Sequence, residues 1–190
     1  MTMRRRRLYL GAVVTMSLGA ASCPKSGSGS SGAPLGVDTS GKASLTLTSV
    51  DFAAGGAIPK AFTCEGDGKS PSISWSGAPL ATKSFALIVD DPDAPSGTFT
   101  HWVLFDVPSS TTSLAQGASG VGVAGRNDFE ADGYGGPCPP PGKPHRYFFR
   151  LYALDLASLG PKAGAARSDV EAAMKDHVVA SGELFGTYGR

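Results

Sequence analysis

The chain has 190 residues, 17 Lys and Arg against 16 Asp and Glu, and a formal charge of +1. That length suits one domain with a proper core rather than two, and the near-neutral balance offers no basic face for nucleic acid. With 26 Gly, 14 Pro and 8% aromatic residues, the composition predicts many turns and loops in place of long helices.

Residues 1–22 read as an export signal. Arg4, Arg5, Arg6 and Arg7 form a basic head, and the apolar stretch over 8–21 falls short of the roughly 20 residues needed to span a bilayer. The run Leu18-Gly19-Ala20-Ala21-Ser22-Cys23 resembles a bacterial lipoprotein cleavage box, with Ala20 where such boxes carry Leu. Two outcomes stand: acylation of Cys23, or plain cleavage after Ala21 or Ser22. Three acyl chains would suffice to anchor the protein, because each buried methylene contributes about 0.8 kcal/mol. Loss of the four arginines leaves 13 basic residues against 16 acids, so the mature chain is formally near −3. Residues 23–43 are Ser/Gly-rich and hold scarcely a large apolar side chain, which predicts a flexible tether. The folded domain is expected over 44–190, and the protein in the bacterial envelope, lipid-anchored or periplasmic.

Within that domain, residues 44–52 alternate through Leu45 and Leu47 and then shift phase to Val50 and Phe52, predicting a strand with a bulge or bend. Ile73 and Trp75 mark a short half-buried strand. The apolar runs at 85–89, 102–105 and 147–154 have strand length and predict central strands covered on both faces. Short strands with Gly/Pro turns give a mainly β fold, an antiparallel sandwich with a few short peripheral helices. One helix is expected near the C-terminus. Ser168 with Glu171 suggests a capping box, Val170, Met174 and Val178 form one stripe, and His177 sits structurally in the last turn. The tail over 182–188 reads as a final strand or an extended lid. Residues 115–144 lack any sustained period, yet Pro137, Pro139, Pro140, Pro141 and Pro144 favour a rigid wall over disorder in their second half.

The ionisable chemistry concentrates in two stretches. One runs from Asp90-Asp91-Pro92-Asp93 to His101-Trp102, the other from Gly136-Pro137-Cys138 to His145-Arg146-Tyr147. Each ends with a histidine where a Pro/Gly-rich loop enters an apolar strand. Taken singly, such a histidine is ordinarily a hydrogen-bonded strand end. Two of them beside an acidic turn and a stiff loop suggest a site for a small anion, with imidazoles as donors and backbone N–H groups near Gly135 and Gly136 assisting. Asp91 would orient an imidazole or receive a cationic group of the ligand. Asp93 is expected to brace its turn by capping N–H groups, and Arg146 to pair with such an acid.

The strings FTCEGDGKSPSISW, DPDAPSGTFTHWVLFDVP and GGPCPPPGKPHRYFFRLYALD, in that order, resemble the phosphatidylethanolamine-binding protein family in its bacterial, Raf-kinase-inhibitor-like branch. The resemblance implies a binding pocket formed by Asp91, His101, Pro137, His145 and Tyr147 with Gly136 as wall. It also puts Cys64 and Cys138 in loops near that pocket. A Cys64–Cys138 bridge and two free thiols both stand at this point, the bridge being the default in an oxidising compartment. Two functions follow: a non-enzymatic module for a phosphate-bearing or other small anionic ligand, or a regulator of a kinase or serine protease acting through the pocket rim and Pro-rich loop. The familiar nucleophile, metal and nucleotide motifs are absent, so neither enzyme nor cofactor is expected. A zinc site of His101, His145 and Asp91 lacks the short ligand spacings that make such motifs specific.

Overall fold

A computed structural model describes residues 37–190. The signal, Cys23 and most of the tether therefore lie outside the described residues. The fold is mainly β. Strands β1 (Ala43–Ser44), β2 (Thr46–Thr48), β3 (Ile73–Ser76), β4 (Ser84–Asp91), β5 (Phe99–Pro108), β6 (Ser113–Leu114), β7 (Val123–Ala124), β8 (His145–Leu154) and β9 (Val178–Tyr188) are accompanied by helix α1 (Arg167–Met174) and a 3-10 turn at Lys60–Phe62. They build a six-stranded sheet in the order β1-β9-β8-β4-β5-β7 and a three-stranded sheet β2-β3-β6. All pairings are antiparallel except β1 with β9.

The continuous apolar runs have the predicted cause. Every residue of β4 is buried, because its alternate side chains enter two different cores. Phe85, Leu87 and Val89 face inward with Leu47, Trp75, Trp102 and Phe149, while Ala86 and Ile88 face outward with Val103, Phe105, Val170 and Met174. The small sheet covers the inner face and α1 the outer. β3, by contrast, buries only Ile73 and Trp75 and exposes Ser74 and Ser76.

Three expectations change. The single strand over 44–52 is instead two short strands: Leu45 and Leu47 are buried, but Val50 lies in a bend and is 93% exposed. The packed chain also starts before residue 44, since Val37 is buried in the outer core and β1 opens at Ala43. Finally, α1 begins at Arg167 with Ala166 as its N-cap and no side-chain cap bond. Ser168 lies inside the first turn, and Glu171 accepts from Arg167 at 2.7 Å in place of closing a capping box. The helix ends at Met174, so Val178 opens β9 and His177 lies in the turn between them, bonded to Asp155 at 2.9 Å. Residues 182–188 belong to β9.

The uncapped start gives a direct test. Ser168→Ala is expected to change stability by less than about 0.5 kcal/mol, whereas the fully buried Met174 should cost about 2–5 kcal/mol when cut to Ala. Urea denaturation of the two variants measures both.

Candidate ligand-binding site

The site forms where the inner faces of β4, β5 and β8 run beyond the small sheet. On β8 the two-residue period puts His145 and Tyr147 on the inner face, continuing the row of Phe149 and Leu151. On β4 the inner row of Phe85, Leu87 and Val89 leads to Asp91. β5 needs a device, because strict alternation from the inward Trp102 would send His101 outward. The register supplies it: Val89 pairs with Trp102, but Asp90 pairs with Thr100. His101 is thus the extra residue of a β-bulge, which returns it to the side shared with Phe99.

These elements enclose a cavity of about 140 Å³ lined by Asp91, His101, His145 and Tyr147, with Phe99, Phe129, Ala94, Pro95, Cys138, Pro139 and Pro140 as its largely apolar wall. Asp91 is 3% exposed and accepts from His145 Nδ1 at 2.7 Å and from the Asp93 backbone N–H at 2.8 Å. His101 donates its Nδ1–H to the Gly135 carbonyl at 2.8 Å. Each imidazole is therefore oriented through Nδ1, leaving Nε2 for other partners. Burial pushes the His101 pKa below its ordinary value, against the Gly135 carbonyl and the Asp91, Asp128 and Asp90 carboxylates, which act to raise it. Its ring meets those of Tyr147, Phe129 and Phe99 at 5.1, 5.4 and 5.1 Å between centroids. The Tyr147 hydroxyl is buried with no partner at close hydrogen-bond distance. Burial, then the Asp91 charge and a loose hydrogen bond toward that carboxylate, hold its proton on.

Of the expected pocket set, Asp91, His101, His145 and Tyr147 line the cavity, and Gly136 and Pro137 do not. Gly136 stands behind the wall, so close to residues 62–63 that a Cβ would come within 2.9 Å of the Phe62 carbonyl oxygen. Pro137 is buried and accepts from the Cys64 N–H at 3.1 Å. The Gly135 N–H is consumed by the His101 carbonyl at 2.7 Å, so it offers a ligand nothing. The turn is capped by Asp91 rather than Asp93. Asp93 instead receives the Arg146 backbone N–H, Nε and Nη2 at 3.0, 2.8 and 2.7 Å, and that guanidinium lowers its pKa to about 2. Cys64 and Cys138 are bridged, with Cα atoms 5.4 Å apart. Pro139 and Pro140 belong to the wall expected of the Pro-rich loop, whereas Phe99 and Phe129 carry no signal in the sequence, because only the bulge and the chain's path bring them there. Among the described residues, no group of three or more His, Cys, Asp or Glu is placed to hold a metal ion, and no helix is long and apolar enough to cross a membrane.

Residues 48–189 match the family model for phosphatidylethanolamine-binding protein. The chain belongs to the phosphatidylethanolamine-binding protein family. Its relatives in that family include a UPF0098 protein of Aquifex aeolicus, 48% identical over 80% of this chain and 92% of the relative, and one of Methanothermobacter thermautotrophicus, 49% identical over 71% and 92%. Two solved members share the architecture. The Chlamydia trachomatis homolog CT736 is 39% identical with a TM-score of 0.74, and Escherichia coli YbcL, described as a member of the mammalian family, is 34% identical with a TM-score of 0.73. Each covers 77% of this chain and 98% of its own. In this member of the phosphatidylethanolamine-binding protein family, then, two imidazoles, a carboxylate and a phenol converge on one cavity of about 140 Å³.

Proposed function

We propose that this protein is a non-enzymatic binding module whose cavity takes a small phosphorylated or otherwise anionic headgroup. The reading is carried by one observation: two imidazoles already oriented through Nδ1 and the buried Tyr147 hydroxyl line one cavity. A buried donor held only loosely gains from an acceptor that a ligand brings. A phosphate brings acceptors for Tyr147 Oη and, once the imidazoles are protonated, for both Nε2–H groups. Asp91 orients His145 through Nδ1, and it suits a ligand that also carries an ammonium. The cavity walls are apolar, which strengthens each of these bonds. We place the protein in the bacterial envelope, anchored through Cys23. The Cys64–Cys138 bridge favours an oxidising compartment.

Differential scanning fluorimetry tests this. Phosphate or phosphorylethanolamine at 100 times Kd is expected to stabilise the protein by about 2.7 kcal/mol, and no shift with either compound counts against the reading. pH separates ligand from protein. The folded pKa of His101 lies below its unfolded value of about 6.5, so its contribution is fully present above that pH and is lost as pH falls through the folded pKa. Bound phosphate should raise the His101 pKa from its depressed value, because an anion beside the ring favours its protonated form, and an NMR titration of His101 with and without phosphate reads this directly. An unmoved or lowered value contradicts the donor assignment.

A further inference from the structure

The cavity wall contains its own chemically cleavable tie. Cys138 lines the cavity, whereas Cys64 lies exposed on the neighbouring loop. Between them the bridge closes a separation of 74 residues. The wall it secures is poor in other fastenings, because four of residues 137–141 are proline and have no N–H to donate. Besides the packing of the buried Pro137 and Pro139, it is held by the bridge, the Cys64 N–H to Pro137 carbonyl bond at 3.1 Å, Arg190 Nε to the Pro139 carbonyl at 2.6 Å, and, at its far end, the Gly142 N–H to the Arg190 carbonyl at 3.0 Å. Tyr134 Oη adds a bond to the Phe62 carbonyl at 2.9 Å just before the wall begins.

From this placement we infer that the Cys64–Cys138 disulfide is a thiol-exchange site that latches the ligand cavity. A thiolate from solvent attacks the sulfur of the exposed residue Cys64. The S–S bond breaks, a mixed disulfide forms on Cys64, and Cys138 leaves as a thiolate that takes up a proton beside the cavity. With a dithiol, the second thiol then displaces Cys64 and closes its own disulfide. The protein gains two electrons and two protons, and the dithiol loses them. Attack on Cys64 is favoured because Cys64 is the exposed residue of the pair and Cys138 the half-buried one. Once cut, residues 138–140 keep the Arg190 contact but lose their covalent hold on the 62–64 segment. The cavity is then less preorganised, and a bound headgroup must order it again.

The inference uses the cavity read above as a binding site, so the test has two independent arms. In the first, the oxidised full chain is treated with glutathione and mapped by mass spectrometry, then compared with the dithiothreitol-reduced chain by amide hydrogen exchange. Glutathione on Cys64 and faster exchange over residues 134–143 are expected. Capture on Cys138, or unchanged exchange, overturns the latch. In the second, inorganic phosphate is titrated calorimetrically into both forms and into Cys64→Ser/Cys138→Ser. Phosphate should bind the reduced and doubly substituted chains about tenfold more weakly, and equal affinities also overturn the latch. If phosphate binds no form, the proposed ligand class fails and the exchange arm alone decides the latch. Should the double variant fail to fold, the reduced wild-type chain, checked by circular dichroism, takes its place.

Discussion

His145→Ala is expected to abolish phosphate-dependent stabilisation altogether and to weaken the ligand-free fold. Both losses follow from one contact. His145 Nδ1 is the close side-chain partner of Asp91, whose side chain is 4% exposed, and cutting His145 leaves a buried carboxylate with the Asp93 N–H and a loose contact from Tyr147. Removing one member of such a pair costs on the order of 3–5 kcal/mol. Because a destabilised variant could lose binding merely by unfolding, Tyr147→Phe supplies the separate measure. Its hydroxyl has no close partner in the free protein and reaches only loosely toward Asp91, so deleting it should change stability by less than about 1 kcal/mol. The phosphate affinity should nonetheless fall about tenfold, the equivalent of one hydrogen bond to a charged group. Full affinity in Tyr147→Phe, measured by calorimetry, would remove Tyr147 from the proposed donor set.

That the site was partly legible in the sequence, and partly not, has a structural cause. His145 and Tyr147 are two apart on one strand, so period 2 alone brings them to one face, and the apolar run behind them sets which face is inner. His101 obeys no such rule. Its direction depends on a bulge between Thr100 and Trp102, and bulges carry no reliable signature in one sequence. The same limit explains Gly136 and Pro137. A stiff Pro-rich loop predicts a wall, but which of its residues turn inward is decided by where residues 62–64 press against it. At α1 a local signal lost to tertiary packing: Ser168 and Glu171 have the right spacing for a capping box, yet Arg167 claims Glu171 and also reaches Asp90 at 3.1 Å. The long apolar strands were readable because burial on both faces demands apolar residues whatever the surrounding topology.

Adjacent residues of β4 show why the outer face matters to the inner one. Asp91 turns into the cavity, while Asp90 turns to the helix side, where its side chain is 2% exposed and is gripped by Arg150 Nε at 3.2 Å and Arg167 Nη1 at 3.1 Å. Arg150 also donates to Glu183 and lies over the Phe148 ring, 4.5 Å from its centroid. Arg150→Met keeps most of the apolar stem but strips Asp90 of one cation, and it should destabilise the fold by about 3–5 kcal/mol. Arg150→Lys should recover little, because an ammonium cannot reach Asp90 and Glu183 at once while stacking on the ring. By contrast Arg146→Met, at the partly exposed Asp93 pair, should cost less than about 1 kcal/mol despite its shorter contacts. Guanidinium denaturation of the three variants, read at constant m-value, ranks them. If Arg150→Met proved as mild as Arg146→Met, the buried cluster would not be what holds the end of β4, and the position of Asp91 would have to come from the inner face alone.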